Sequence, residues 1–482
     1  MKRLAPVALA ALLALATARV PAATAAAPSA PSALSSQQSE QLVSSYAHLT
    51  ADFYKKVDRQ AVLEGARVAM VEYLKKKHVP NPALPALRAS DDDASNVAQL
   101  EREVSSAVSA YASKLEPADS LSGATQITYA AIAGVLGSVK DRYTVFLSPK
   151  EYAALNDNLD GTSFGGVGIS YSIDAKTKFL HVENVILDGP SDKVGLHPDD
   201  VIVEIDGKSV PSILAPSDLQ KDPEKHAIAQ TDLISKALRG LPGTRVRLVV
   251  TRNEKALDPV TVTRAEIHSP SVLSKMLPGN IGYVELSVFG QTTGRELDAA
   301  LKRLDGEGAK AYVLDLRRNG GGYLNSAIDV SSKFISSGPI VSVQSRAGAD
   351  TEYDAENTAI MPRPLAVLVD QYTASASEIT AGAIQDSGVG ALVGTKTFGK
   401  GVVQTIFPLR DGSAIKITTA KYFTPKGRDI NSTGIEPDIA SAMPKDTTNI
   451  RFRDPKSDPQ MMAALRYLSG RLGTAVAPAP TQ

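Results

Sequence analysis

The sequence predicts a multidomain α/β protein: a helical N-terminal module, a small β-rich domain and a layered α/β core. Three observations predict it. Residues 37–77 carry apolar side chains at three- and four-residue spacing, the helical period. From 163 the period becomes two, with Val167, Ile169 and Tyr171 alternating, then Val201, Val203 and Ile205. After Asn280, apolar strands alternate with helical stretches. The 482 residues suffice for two or three domains.

Lys2 and Arg3 precede an apolar run over 4–18, and small-x-small sites follow at Ala16-Thr17-Ala18 and Ala23-Thr24-Ala25. This reads as a secretory signal peptide over 1–25. It predicts export, in bacteria to the periplasm, with membrane tethering if the signal stays uncleaved. The run is short for a bilayer span, and no later stretch could span one. Residues 26–36 are an Ala/Pro/Ser linker.

The helical module occupies 37–162. Pro80, Pro82 and Pro85 break its first helical stretch, and Asp91-Asp92-Asp93 reads as a solvated loop. Further helices are predicted over 97–115 and 126–139. The β-rich domain occupies 163–266, with strands over 244–251 and 260–264 and a short helix over 232–239. Residues 211–230 read as an inserted polar loop. The α/β core runs over 267–445, with strands at 281–288, 311–316, 365–370 and 391–394. Its helices lie at 294–304, 324–334 and 375–385. Residues 446–482 hold a C-terminal helix and an Ala/Pro-rich disordered tail.

Equal numbers of basic and acidic residues, 52 each, leave no electrostatic footprint for nucleic acid. The absence of cysteine excludes disulfides, thiolate metal sites and cysteine nucleophiles. Six histidines are present, none after Asn280 and none closely paired, so neither a metal nor another cofactor is expected.

The chemistry concentrates in the core. Ser375 lies where an apolar strand meets a helix start, and unpaired N–H groups and the helix dipole there favour negative charge. An oxyanion beside Ser375 would meet the N–H of Ala376. Gly320 and Gly321, in Asn319-Gly320-Gly321-Gly322, leave another strand end and offer further donors. Ser375-Ala376-Ser377-Glu378 is by itself a capping box, and a lone lysine is usually a surface group. Their joint occurrence with Lys400 and Gln404 suggests a serine hydrolase whose base is lysine. Burial among Phe398 and Val402 would lower the Lys400 pKa. On a strand, 400 and 404 share a face, so Gln404 would orient the lysine. Lys396, the rival, has no hydrogen-bond acceptor among its same-face successors.

At these residues the sequence resembles the C-terminal processing (tail-specific) peptidases. The matches are Asp141-Arg142-Tyr143-Thr144-Val145-Phe146-Leu147, Phe164-Gly165-Gly166-Val167-Gly168-Ile169 and Leu314-Asp315-Leu316-Arg317-Arg318-Asn319-Gly320-Gly321-Gly322. Others are Ser375-Ala376-Ser377-Glu378-Ile379, Thr397-Phe398-Gly399-Lys400-Gly401-Val402-Val403-Gln404 and Gly434-Ile435-Glu436-Pro437-Asp438. The resemblance implies a crotonase/ClpP-like peptidase core, Ser375 as nucleophile, Lys400 as base and Gln404 as its partner. It also implies a PDZ domain in the middle segment and polypeptides with free, apolar C-terminal tails as substrates. Gly166, Val167, Gly168 and Ile169 are placed to take a terminal carboxylate. Ile169, Tyr171 and Leu238 would wall an apolar side chain. The segments 78–123 and 211–230 are longer and more polar than is usual in the family, and would suit a regulatory adaptor protein. A catalytically idle, PDZ-containing peptide-binding scaffold is the alternative, against which the intact Ser375, Lys400 and Gln404 argue.

Overall fold

The computed structural model describes residues 34–473 apart from 119, 161–162, 175, 187–188, 220–222, 269, 347, 349, 361, 445–452 and 455. The expected signal segment over 1–25, most of the expected linker and the tail from 475 lie outside the described residues.

The N-terminal module packs the helices Ser36–Asp52, Arg59–Lys76, Asp93–Tyr111 and Gly123–Gly137 around Leu42, Leu63, Met70, Leu100 and Ile132, all fully buried. The single helical stretch expected over 37–77 is two helices. Asp58 starts the second, its carboxylate accepting from Gln60 N–H (2.9 Å) and Ala61 N–H (3.3 Å). The acidic run at 91–93, expected as a solvated loop, starts the third helix. Asp92 accepts from Ser95 N–H at 3.0 Å, and Asp93 pairs with Arg59 at 2.8 Å. Local capping outweighs the hydration of the run. Gly65 and Gly134 let two helices touch backbone to backbone, since a Cβ on Gly65 would lie 2.5 Å from the Gly134 carbonyl.

This module is not separate from the core. Strand Val145–Leu147 pairs antiparallel with Ala414–Phe423, and Ile415 and Ile417 are buried among the module's helices. The helix Pro149–Asp160, unread in the sequence, then leads into the β-rich domain.

The main sheet of the β-rich domain runs Ile169–Ile173, Leu180–Val185, Val201–Ile205, Arg245–Arg252, Lys255–Ala256, with Lys208–Ser209 and Val260–Thr263 pairing off this path. Ile169–Ile173 is therefore an outer strand. Ser163–Gly166 and Ala265–His268 pair antiparallel and bring the domain's ends together. The expected polar loop at 211–230 is mostly helical. It contains Val210–Leu214 and the first half of Pro223–Leu238, of which the predicted 232–239 helix is the end. Val210 and Leu214 are buried, and that burial outweighs the polar composition.

The core has two sheets. The larger runs Val272–Leu277, Ile281–Leu286, Ala311–Asp315, Leu365–Val369, Ala391–Gly394, Ile439–Ala440, with the first pair antiparallel and the rest parallel. Three central strands are buried at every residue, as expected for a parallel sheet covered on both faces. The helix Pro459–Leu472 covers one face, with Met461, Ala464 and Leu468 against Tyr283, Val313 and Leu368. Helices Thr293–Gly306, Leu324–Ser332 and Ala376–Ser387 cover the other. Their far side meets a second, antiparallel sheet through Ile340, Val341 and Tyr422. That sheet contains Pro339–Ser345, Asp350–Asp354, Val402–Pro408 and Ala414–Phe423. Among the described residues no helix is long and apolar enough to cross a membrane.

Candidate active site

Two adjacent parallel strands, Ala311–Asp315 and Leu365–Val369, end side by side and deliver the two loops of the site. Hydrogen bonds sew these loops together. Asn319 O accepts from Ala374 N–H (3.1 Å) and Ser377 Oγ (3.0 Å), and Thr373 Oγ1 donates to Leu316 O at 2.9 Å. The strand end before the glycines is anchored by Arg317, fully buried between Asp315 (2.7 Å) and Asp458 (2.8 Å). Asp458 caps the C-terminal helix, so that helix helps fix the glycine loop.

Ser375 sits at the start of helix Ala376–Ser387 with φ 58° and ψ −120°. A non-glycine residue held there stores on the order of 1–3 kcal/mol of backbone strain. Gly321, at φ 97°, lies so close that a Cβ on it would be 2.8 Å from Ser375 Cβ and 2.8 Å from Ala376 N. Only glycine fits. The Gly321 N–H, however, is taken by Asn319 Oδ1 at 2.9 Å. This corrects the expectation that Gly321 donates to an oxyanion, because the loop's own asparagine turns back on it.

Glu378 joins Ser375 to the lysine loop. Its fully buried carboxylate accepts from Ser375 N–H (3.0 Å), Lys400 N–H (2.8 Å), Gly399 N–H (2.7 Å) and Thr397 Oγ1 (2.6 Å). The glutamate half of the capping box is thus present, and it also carries a tertiary contact, while the Glu378 N–H goes to the Ser375 carbonyl at 2.8 Å. The Tyr422 hydroxyl adds a second tie, 2.5 Å from Lys400 O and 3.2 Å from Ser375 O.

The Lys400 ammonium lies 5.0 Å from the centre of the Tyr143 ring. Burial, then the like charge of Lys416, lowers its pKa to about 8. Lys416 is itself lowered by burial. A lysine titrating near 8 is about one-tenth neutral at pH 7, enough to accept a proton.

Ser375, Ala376, Gly320, Gly321, Lys400 and Gln404 line one cavity of about 660 Å³. Lys400 and Gln404 do not share the strand face that the pleat predicts, although both reach the cavity. Lys400 precedes strand Val402–Pro408, and a bulge between Val403 and Gln404 breaks the alternation. The Gln404 amide donates to Val402 O at 3.2 Å, so the expected Gln404–Lys400 hydrogen bond is not the one made here. Lys416, Tyr422, and Leu155 and Leu159 of helix Pro149–Asp160 also wall this cavity, and Tyr143 lies under the Lys400 ammonium; none of these was expected from the sequence as part of the site. Tyr143 stood within a recognised motif and was the one within reach.

In the β-rich domain, Gly166 ends a strand, Gly168 turns at φ 77°, and Ile169 starts the outer strand. Val167 and Leu238 are buried, and Ile169 and Tyr171 pack against the same core.

Residues 280–441 match the family model of peptidase family S41, and 158–222 match that of the PDZ domain. Core and small domain together define a serine-type peptidase that carries a PDZ domain. The chain is 36% identical over 357 residues to a carboxyl-terminal-processing protease of Synechocystis, covering 73% of this chain and 78% of that one. It is 33% identical to the carboxy-terminal processing protease CtpA of Bacillus subtilis, covering 72% and 68%. Among solved structures, a photosystem II D1 C-terminal processing protease aligns at 27% identity and TM-score 0.43, covering 86% of this chain and 96% of that one. The chain belongs to the carboxyl-terminal-processing proteases of peptidase family S41.

Proposed function

We propose that Ser375 is the nucleophile and Lys400 the general base of an endopeptidase that cuts polypeptides near their C-terminal tails. The observation that carries this is the opening of both side chains into one cavity, Ser375 on a strained helix start and Lys400 with its pKa lowered to about 8. Neutral Lys400 takes the hydroxyl proton as Ser375 Oγ attacks the scissile carbonyl. The resulting ammonium returns that proton to the leaving amine. Gly320 N–H and Ala376 N–H stabilise the oxyanion, aided by the helix dipole. Gln404, on the cavity wall, is the proposed partner of Lys400.

In this reading the PDZ domain selects chains with a free carboxylate after apolar residues. The outer strand Ile169–Ile173 accepts the tail as an added strand, with Gly166–Ile169 at its carboxylate and Tyr171 and Leu238 near its last side chain. The segment over 1–25 directs export, so the substrates are exported proteins.

The test is hydrolysis of an unfolded protein, with products mapped by mass spectrometry and Ser375→Ala as control. Cleavage should cluster near the C-terminus, vanish in the control, and slow when the substrate's C-terminus is amidated. Equal cleavage by Ser375→Ala would overturn the assignment. Equal cleavage of free-acid and amidated chains would remove tail reading from it.

A further inference from the structure

Beside the catalytic cavity lies another of about 700 Å³, and the two share Tyr323, Leu324 and Gln404 as a common wall. The reaction as proposed does not use it. Its charged lining residues are Asp329 and Glu356, both acidic, whereas those of the catalytic cavity, Arg318, Lys400 and Lys416, are all basic. A substrate passing from one to the other meets a reversal of charge.

Ser326 supplies a separate observation. It lines the second cavity, is 8% exposed, and its Oγ has no hydrogen-bond partner. A buried hydroxyl left unmet costs about 1–3 kcal/mol, which a polar ligand group would recover. Asp329 is also fixed in place. One oxygen is 2.6 Å from Lys333 Nζ, and the other lies over Gly294, where a Cβ would be 1.7 Å from it. Lys333 pairs with Asp329, so Glu356, which is exposed, carries most of the cavity's uncompensated charge.

We propose that this second cavity is a substrate pocket that takes a lysine or arginine side chain of the polypeptide, at a position removed from the scissile bond. The cation sits between Glu356 and Asp329, and Ser326 Oγ accepts one of its hydrogens. Repulsion from Arg318 and Lys416 keeps the same side chain out of the catalytic cavity. The pair of cavities thereby fixes which residue of the substrate faces Ser375. The proposal rests on the reading of the Ser375 cavity as catalytic.

The experiment uses the full chain and peptides that differ at one position only, with Lys, Ala or Glu scanned along each side of the cleaved bond. At one position away from that bond, Lys should be preferred over Glu by about fivefold in kcat/KM, the size of one partly screened charge pair. Glu356→Lys should reverse that preference. Ser326→Ala should weaken it. Neither should change the rate on the Ala peptide. Identical profiles in all three enzymes would overturn the pocket. Binding of the Lys and Glu peptides to Ser375→Ala, by fluorescence anisotropy, separates the two readings. No cleavage by wild type but a retained Lys preference in binding would sink the catalytic assignment alone. Cleavage with equal binding would sink the pocket alone.

Discussion

Glu378 holds Lys400 by its backbone: the carboxylate accepts the lysine's N–H at 2.8 Å while also accepting from Ser375 N–H at 3.0 Å. One buried side chain therefore sets the spacing between the Ser375 loop and the Lys400 loop. Glu378→Ala leaves several buried N–H groups unmet, at about 1–3 kcal/mol for each. It should lose both stability and activity, measured by denaturant unfolding and by turnover. A variant as stable as wild type would show that the loops hold their spacing without Glu378.

Ser375 should behave in the opposite way. At φ 58° it is strained, and glycine adopts that conformation without penalty. Ser375→Gly is expected to be inactive yet at least as stable as wild type, with a gain of up to about 1 kcal/mol. A clear fall in melting temperature would mean that the hydroxyl contributes as a cap and that the backbone is not under strain.

Ser375 and the glycine loop were legible in the sequence because each lies between an apolar strand and a helix with a clear period, and Lys400 only through its joint occurrence with them. The cavity's other walls were not legible. Leu155 and Leu159 belong to the helix Pro149–Asp160, whose polar composition hides its period. Lys416 and Tyr422 lie on Ala414–Phe423, where Lys416, Thr418 and Thr419 interrupt the apolar run. Gln404 shows the limit of pattern reasoning. A bulge that no periodicity announces shifted its face, yet the same bulge leaves it at the cavity. Capping misled in the other direction, since the acidic run at 91–93 looked like loop and is a helix start.

The pH profile follows from Lys400. With Lys400 as the proposed base, catalysis needs the neutral amine, so kcat/KM should rise with pH and level off above about 8. Lys416 opposes the ammonium form of Lys400. Lys416→Gln removes that repulsion, so the rising limb should move to higher pH and activity at pH 7 should fall. Lys400→Arg should be inactive throughout, because a guanidinium does not deprotonate in this range. An unmoved limb in Lys416→Gln would show that burial alone sets the base.

Stability should report the same group without any substrate. The folded pKa of Lys400, about 8, lies below its unfolded value of 10.5. Between these values the unfolded chain binds more protons, so stability rises with pH across that window. Below pH 8 the buried ammonium imposes its full penalty. Lys400→Met should therefore raise the melting temperature at pH 7, and the gain should shrink as pH approaches 10. A gain independent of pH would place its source in packing and leave Lys400 with an ordinary pKa.

The glycine loop offers a paired comparison within two residues. A Cβ on Gly320 meets nothing within 4 Å, whereas one on Gly321 would lie 2.7 Å from Ala374 O and 2.8 Å from Ser375 Cβ. Gly321 also holds φ 97°, which costs an alanine on the order of 1–3 kcal/mol. Gly320→Ala keeps its N–H and should fold and cleave much as wild type does. Gly321→Ala must push the serine loop aside, and should lower kcat on the order of a hundredfold by misaligning the proposed nucleophile Ser375 with the proposed oxyanion donors. Measured on one peptide, kcat should separate the two variants while KM changes little. Equal rates would show that the close approach of Gly321 to Ser375 is incidental to the chemistry.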